Sequence, residues 1–175
     1  MNTLRLNTNT EGIAVMNINR LEVMRLEVFR LIDAEQWGEK MYFLSHLYGV
    51  SDFCALIALQ RGLDVEIAAT SGMLHDIHQV THGMSYAAMK RHAAKGSEEA
   101  AYVLRRVGLY SEEEISIVTA AISQHSDKAN IHTPYDEVLK DADVMHHRLF
   151  PYDPAKESEA QRYERLLVSL GVKKH

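Results

Sequence analysis

The residues best suited to chemistry are His75 and Asp76, a metal-capable pair that directly follows the apolar run Ala68-Ala69-Thr70-Ser71-Gly72-Met73-Leu74. The residues before the pair favour burial, and a buried imidazole or carboxylate needs a partner. A divalent cation is one such partner, because imidazole and carboxylate together suit zinc, iron, manganese and similar ions. The alternative is that the two side chains bond each other or backbone groups at a helix end. For the pair alone, this structural interpretation is favoured.

Two more potential ligands lie in apolar surroundings elsewhere in the chain. His46 is flanked by Leu44 and Leu47, and Asp143 interrupts the apolar stripe of its own segment. Together with His75 and Asp76, they would reach one ion from three helical segments. Such a set leaves coordination positions for water, which a catalytic metal site requires.

The order of these residues resembles the HD-domain metal-dependent phosphohydrolases. In the segment Lys140-Asp141-Ala142-Asp143, we align Asp143 rather than Asp141 with the last metal ligand of the family, because in the family that acid usually follows an alanine. The resemblance covers about residues 40–148 and implies a single-domain HD-type helical bundle. The three stretches are Ser45-His46-x-x-x-Val50, Ala68-x-x-Ser71-Gly72-Met73-Leu74-His75-Asp76-Ile77 and Lys140-Asp141-Ala142-Asp143.

Two additional histidines extend the resemblance. In HD proteins with two-metal centres, further histidines lie between the His-Asp pair and the last acid, where this chain has His92 and His125. For His92 the alternative is a surface histidine on a basic turn. The full set resembles those of bacterial HD hydrolases of symmetric dinucleoside polyphosphates, HD cyclic-dinucleotide phosphodiesterases and di-iron HD oxygenases such as inositol oxygenase. The resemblance implies that Asp76 bridges two ions, one held with His46, His75 and Asp143 and the other with His92 and His125.

The activity that the resemblance implies is hydrolysis of a nucleotide or another small phosphorylated metabolite by a metal-activated water. Phosphate esters and anhydrides resist attack because they are negative and their leaving oxygen is poor, and a metal lowers the pKa of bound water toward ~7. The implied cofactor is one or two divalent transition ions (Fe, Mn, Co, Ni or Zn). Two alternatives keep the same residues: a di-iron HD-type oxygenase, and a non-catalytic metal- or nucleotide-binding regulatory module.

The residues after the pair depart from the family pattern. Many HD hydrolases continue with Ile-Gly-Lys, whose lysine can touch phosphate, whereas this chain has Ile77-His78-Gln79. Asp76 and His78 are predicted as catalytic residues, with His78 as a proton carrier or as a support for a ligand. The substrate-binding residues are unknown. The candidates for the missing phosphate contact, each with the alternative of a solvated surface charge, are Lys90, Arg91, Lys95 and Lys128.

Hydrophobic spacing predicts helices that position these residues, and the predicted fold class is all-α. All three prolines lie in the last third of the chain, which favours long helices before them. We expect residues 1–18 to form a loose arm or a short strand, and residues 19–175 to form one domain. The polar stretch Ile77–Ser85 is predicted to be a loop. The predicted helices begin with an amphipathic one from Arg20 and continue with Glu39–Gln60, one from Asp64 to the His-Asp pair, Tyr86–His92, Ser97–Val107, Glu112–Ser126, Asp136–Arg148 and Glu157–Leu170.

Composition excludes several classes of protein. The 175 residues are 46% hydrophobic and 25% charged, a mixture typical of globular domains. The lone Cys54 excludes an intramolecular disulfide and suits a reducing compartment, and the net charge of −5 argues against a nucleic-acid surface. We expect a cytoplasmic protein with no membrane partner, because no apolar run approaches ~20 residues and Met1–Thr10 lacks a signal-peptide pattern. The helix Leu21–Ile32 could pack on the core, which is favoured, or form a homodimer contact.

Overall fold

The structure, a computed structural model, describes residues 7–8, 14–15, 19–36, 38–150 and 157–172. Nearly all of these residues are helical, so the all-α prediction is confirmed. In chain order the elements are β1 (Asn7–Thr8), β2 (Ala14–Val15), α1 (Arg20–Ala34), α2 (Lys40–Arg61), α3 (Val65–Leu74), α4 (Ile77–His82), α5 (Tyr86–Val107), α6 (Glu112–Gln124), α7 (Pro134–Leu149) and α8 (Glu157–Ser169).

Capping residues set several helix boundaries where the sequence predicted them. α2 ends at Gly62, whose left-handed backbone (φ 67°) is a conformation that glycine adopts without strain. Asp64 begins α3, because its side chain accepts hydrogen bonds from two backbone N–H groups of the first turn. Ser111 and Glu114 form the predicted capping box at the start of α6. These boundaries fix where the chain reverses between the helices that carry the site.

Two predictions about the middle of the chain are wrong. The stretch predicted as a loop contains α4, in which Ile77 and Val80 are buried in the core and the polar residues between them, His78 and Gln79, are buried as well. The predicted break between Tyr86–His92 and Ser97–Val107 is absent, and α5 runs through it without interruption. Gly96 lies inside this continuous helix. In the structure, a Cβ at Gly96 would lie 3.2 Å from the carbonyl oxygen of His75, so glycine allows a close approach between α5 and the site.

The helices enclose one cluster of buried apolar side chains, which extends from Met24 in α1 to Leu166 in α8. α2 packs on α3 and α7, α5 packs on α4 and α6, and α6 also contacts α3 and α7. Met24, Val28 and Ile32 bury one face of α1, so this helix packs on the core, as the favoured prediction had it. α3 therefore lies in contact with α2, α6 and α7.

α2 is long and apolar enough, by length and composition alone, to cross a membrane. By this criterion, the expectation that no segment of the chain could span a membrane is wrong for α2. Core helices meet the same criterion, and α2 packs between α3 and α7 with Phe43, Leu47, Val50 and Ile57 buried. One such helix is weak support for a membrane span.

The N-terminal arm is described only in part. β1 and β2 pair in antiparallel register, with Asn7 opposite Val15 and Thr8 opposite Ala14. The remainder of the predicted arm, residues 1–6, 9–13 and 16–18, lies outside the described residues.

Candidate metal centre

Six elements bring the six predicted ligands together. His75 is the C-cap of α3, Asp76 is the N-cap of α4, and His125 is the C-cap of α6. The other three ligands lie inside longer helices: His46 in α2, His92 in α5 and Asp143 in α7. Because three ligands stand at helix ends, the local chain reversals aim them at the same point.

The two carboxylate oxygens of Asp76 divide the centre into two halves. Oδ2 lies 3.6 Å from Nε2 of His46 and 3.5 Å from Nε2 of His75. Oδ1 lies 3.5 Å from Nε2 of both His92 and His125. Asp143 Oδ1 joins the first group, 3.6 Å from His46 and 3.8 Å from His75. We call the part formed by His46, His75 and Asp143 the inner half, and the part formed by His92 and His125 the outer half.

Backbone carbonyls fix the orientation of three imidazoles. Nδ1 of His75 lies 2.7 Å from the carbonyl oxygen of Gly72, and Nδ1 of His125 lies 2.7 Å from that of Ile122. Nδ1 of His92 lies 2.6 Å from the carbonyl oxygen of Met89. A carbonyl only accepts, so Nδ1 carries the proton in each ring. In the neutral imidazole this leaves the Nε2 lone pair free, and Nε2 is the atom that faces Asp76. Each acceptor lies three residues before its histidine, a spacing that helix geometry supplies.

His46 is oriented by another histidine, His146. Nε2 of His146 lies 3.1 Å from the carbonyl oxygen of Ser45 and therefore donates to it, which leaves Nδ1 as an acceptor. That acceptor lies 3.1 Å from Nδ1 of His46. His46 consequently donates through Nδ1 and presents a lone pair on Nε2. Gly49 makes room for the arrangement, since a Cβ there would lie 2.7 Å from Nε2 of His146.

The arrangement fits cations better than it fits hydrogen bonds. Nε2 of His46 lies 3.1 Å from Nε2 of His75, and Nε2 of His92 lies 3.0 Å from Nε2 of His125. With Nδ1 protonated in each ring, both pairs bring two lone pairs face to face, which a positive ion between them would relieve. Within the described part of the chain, Oδ1 of Asp76 and Oδ1 of Asp143 are also buried and accept no hydrogen bond, although Nε2 of His147 lies 3.2 Å from the latter. Buried polar atoms of this kind require an explanation, and a metal ion supplies one.

Electrostatics favours the protonation states that metal binding needs. Burial lowers the pKa of His75 to about 3, and burial together with the neighbouring His125 lowers that of His92. Burial opposes ionisation of Asp76, but the imidazoles of His75, His125 and His46 outweigh it and hold its pKa well below the ordinary value. Metal ligation requires neutral imidazole and ionised carboxylate. These residues meet that requirement at neutral pH.

Asp143 has neighbours that were not predicted as its partners, although Lys128 was a candidate for the phosphate contact. Nζ of Lys128 lies 2.5 Å from its Oδ2, and Nε2 of His147 lies 3.2 Å from its Oδ1. Lys128 is first among the groups that hold the pKa of Asp143 well below its ordinary value against the effect of burial. The other ring nitrogen of His147 lies 3.4 Å from buried Glu159 in α8. The four-residue spacing of Asp143 and His147 on one helix was the available signal, whereas nothing pointed to Glu159.

A cleft of about 560 Å³ opens on the centre. Asp76, Asp143 and both histidines of the outer half line it, whereas His46 and His75 are not among the lining residues. Solvent and small ligands therefore reach the centre from the outer half. The other lining residues are Tyr42, Gln79, Met84, Met89, Ser126, Asp127, Lys128, Ala129, His147 and Glu159.

His78, which the sequence analysis placed beside the centre, lies elsewhere. Nδ1 of His78 lies 2.6 Å from Glu99, and its ring packs on His82 at 4.3 Å, so its described contacts are outside the six-residue set. Asp141, the acid that was not chosen as the final ligand, is paired with Arg61 and Arg162. The geometry therefore gives Asp143, and not Asp141, a place at the centre.

Comparison with known proteins agrees with this description. A family model for the HD domain matches residues 43–148, more than half of the chain. The chain therefore belongs to the HD-domain family. It is similar to the crystal structure of a predicted HD superfamily hydrolase from an uncultured Thermotogales bacterium, with 22% sequence identity, a TM-score of 0.55, and coverage of 88% of this chain and 96% of that one. At this identity the likeness concerns the fold alone. A search of curated proteins found no match.

Family membership and the clusters of histidine and aspartate together support a metal-dependent hydrolase in general terms. Three of the clusters meet at the centre, and Asp76 belongs to two of them. The substrate class and the identity of the ions go beyond this statement.

Proposed function

We propose that the protein is a metal-dependent phosphohydrolase that acts on a nucleotide or another small phosphorylated metabolite. One observation carries the proposal: the two carboxylate oxygens of Asp76 face two different pairs of histidines, each at about the same distance. A single carboxylate placed in this way is suited to bridging two cations. Two-metal sites of this kind stabilise the attacking and the leaving oxygen of a phosphoryl group together.

The side chains of the chain have separable roles in this proposal. His46, His75 and Asp143 would hold one ion, His92 and His125 the other, and Asp76 would set their separation. When bound, the divalent cations lower the pKa of coordinated water toward about 7, which supplies a nucleophile near neutral pH. The carbonyl-bound Nδ1 atoms and His146 keep the four imidazoles in the tautomer that can bind.

The charge of the centre favours an anionic substrate. The six donors contribute only two negative charges, those of Asp76 and Asp143, because histidine binds a metal as neutral imidazole. Two divalent cations exceed these charges, so the loaded centre is positive. The ammonium group of Lys128 adds a further positive charge at the wall of the cleft. A phosphate group is thereby attracted to the place where hydrolysis would occur.

Lys128 is the best candidate for the phosphate contact that the missing family lysine would make. It is the one lysine of the described residues that lines the cleft. Of the other three candidates, Lys90 and Arg91 are exposed, and Lys95 pairs with Glu98. The apolar side chains of Met84 and Met89 and the ring of Tyr42 also line the cleft, and its volume is in the range of small-molecule sites. This composition supports a substrate with a nucleoside-sized group attached to phosphate.

The proposal is tested with full-length protein purified without chelator. Metal content is measured, and Mn²⁺, Co²⁺ or Fe²⁺ is added before assay against nucleoside phosphates and symmetric dinucleoside polyphosphates, with release of phosphate or nucleotide as the readout. We expect turnover by the wild type and loss of both tight metal retention and turnover in Asp76→Ala. Asp33→Ala, which changes an exposed acid of α1, is the matched control and should behave as wild type.

Three outcomes would contradict the proposal. Unchanged turnover in Asp76→Ala would show that the reaction does not use this centre, and Asp76→Asn repeats the test with an isosteric side chain. Consumption of dioxygen with substrate would indicate an oxygenase. Saturable nucleotide binding without product over long incubation would indicate a regulatory module.

A further inference from the structure

A second cluster of metal-capable side chains lies between α4 and α5, outside the six-residue centre. It consists of His78 and His82 on α4 and Glu99 on α5, and the donor atoms that they offer all lie within 4.8 Å of one another. We propose that this cluster binds one divalent ion of the zinc class, such as Zn²⁺, Ni²⁺ or Co²⁺, as a site separate from the candidate active centre.

The positions of the three residues in the fold favour a common ligand. His78 and His82 are four residues apart on one helix, so their side chains project from the same face. Their rings lie 4.3 Å apart. Glu99 approaches from the neighbouring helix, with its Oε1 2.6 Å from Nδ1 of His78 and 3.5 Å from Nδ1 of His82. Two imidazoles and one carboxylate are a donor set that zinc accepts with water as a fourth ligand.

The carboxylate of Glu99 is held in place by a residue that is not itself a ligand. The hydroxyl of Thr81 lies 2.7 Å from Oε2 of Glu99 and can donate to it, which leaves Oε1 directed at the two histidines. The same hydroxyl lies 2.8 Å from Nδ1 of His82, a contact that a metal ion bound through this nitrogen would replace. Donor atoms of a tetrahedral zinc site lie about 3.3 Å apart, given bonds of about 2.0–2.1 Å. Small side-chain movements would therefore bring the three donors to binding distance.

Accessibility distinguishes this cluster from the buried centre. The side chain of His82 is 56% exposed and that of Glu99 is 27% exposed, whereas His78 is mostly buried. An ion can therefore enter from solvent without opening the fold. The bound ion would tie α4, which begins directly after Asp76, to α5, which carries His92 two turns before Glu99. It would thus stabilise the two helices that position the outer half, although its binding does not depend on any catalytic activity.

The inference is tested by counting Zn²⁺ ions bound to full-length protein at equilibrium, by dialysis and elemental analysis. We expect His82→Ala and Glu99→Gln to bind one equivalent fewer than wild type, or to bind their last equivalent at least tenfold more weakly. Glu98→Gln is the matched control, since it changes the adjacent exposed acid, which pairs with Lys95. It should bind as many ions as wild type.

The ring nitrogen signals of His82 provide a second test that depends neither on the number of bound ions nor on correct folding of the Glu99 variant. In wild-type protein, the ring nitrogen signals of His82 should shift on addition of Zn²⁺, and the shift should persist in Asp76→Ala, where the candidate active centre is disabled. Equal stoichiometry and affinity in wild type and His82→Ala, with unmoved His82 ring signals, would overturn the inference. The three side chains would then serve only as a hydrogen-bonded connection between α4 and α5.

Discussion

Replacement of His146 by leucine tests whether metal affinity depends on a residue that would not itself bind the metal. His146 accepts the Nδ1 proton of His46 through a contact of 3.1 Å, and both rings are buried. Without that acceptor, His46 either buries an unpaired N–H, at a cost of about 1–3 kcal/mol, or moves its proton to Nε2 and loses the lone pair that faces Asp76. Loss of such support typically weakens metal binding about 10–100-fold. A tenfold change in Kd corresponds to about 1.4 kcal/mol. The cost of the unpaired N–H and the expected weakening of metal binding are therefore of similar size.

The assay is competition of the apparent Kd for Co²⁺ or Zn²⁺ against a chelator, with circular dichroism to verify folding. His146→Asn should recover most of the affinity, because its Oδ1 can occupy the position of the imidazole Nδ1. Phe150→Leu is the packing control: it removes the ring stacked 4.3 Å from His146 and leaves the hydrogen bond in place. Wild-type affinity in His146→Leu would refute the reasoning, as would an equal loss in Phe150→Leu.

Three further changes address stability and substrate binding. Gly72→Ala should lower the free energy of unfolding in urea by about 1–3 kcal/mol, because a Cβ would lie 2.8 Å from the backbone of Ser51. An unchanged midpoint of the urea unfolding transition would contradict the close packing of α2 on α3. Burial opposes the ionised form of Glu137, but the hydrogen bonds from Arg162, Lys140 and the backbone of His132 together outweigh it and lower the pKa of Glu137 below the ordinary 4.5. The contribution of Glu137 to stability is therefore present above pH 4.5 and is lost as the pH falls toward the lower, folded value. Glu137→Gln should therefore make urea stability less dependent on pH in this acidic range, and an unaltered pH profile would count against the assignment. Lys128→Met should retain bound metal but raise the KM for a phosphorylated substrate at least tenfold, since a hydrogen bond to a charged group contributes about 1.5–3 kcal/mol. An unchanged KM would exclude Lys128 as the phosphate contact.

Local sequence signals predicted most of the helices because the signals and the final contacts coincide. Gly62 and Asp64 end and begin neighbouring helices through bonds within a few residues of themselves. The prediction failed at α4 and at the break predicted within α5, where tertiary contacts decide the outcome. His78 of α4 is buried against Glu99 of α5, and Gly96 allows α5 to approach the carbonyl oxygen of His75 closely. A pattern that records only local preference cannot distinguish these cases.

The candidate ligands could be proposed from the sequence because metal-capable residues in apolar helices are conspicuous, and the resemblance to a family ordered them. The groups that support these ligands could not be proposed in the same way. His146 orients His46 from a hundred residues away, and Lys128 reaches Asp143 from the segment after α6. His78 was predicted to assist the centre because it follows Asp76 closely, but the turn of α4 directs it to Glu99. Adjacency in sequence is a poor guide to side-chain direction at the start of a helix.

The two halves of the centre differ in burial and in their access to the cleft. The inner half has His46 and His75 almost wholly buried, and neither lines the cleft. The outer half has His92 with its side chain 20% exposed, and both of its histidines line the cleft. A substrate that enters the cleft therefore meets the outer half first, whereas the inner half is held by core helices. Because Asp76 contacts both halves, it connects the buried half to the part of the centre that solvent can reach, as its proposed role as a bridge between two ions requires.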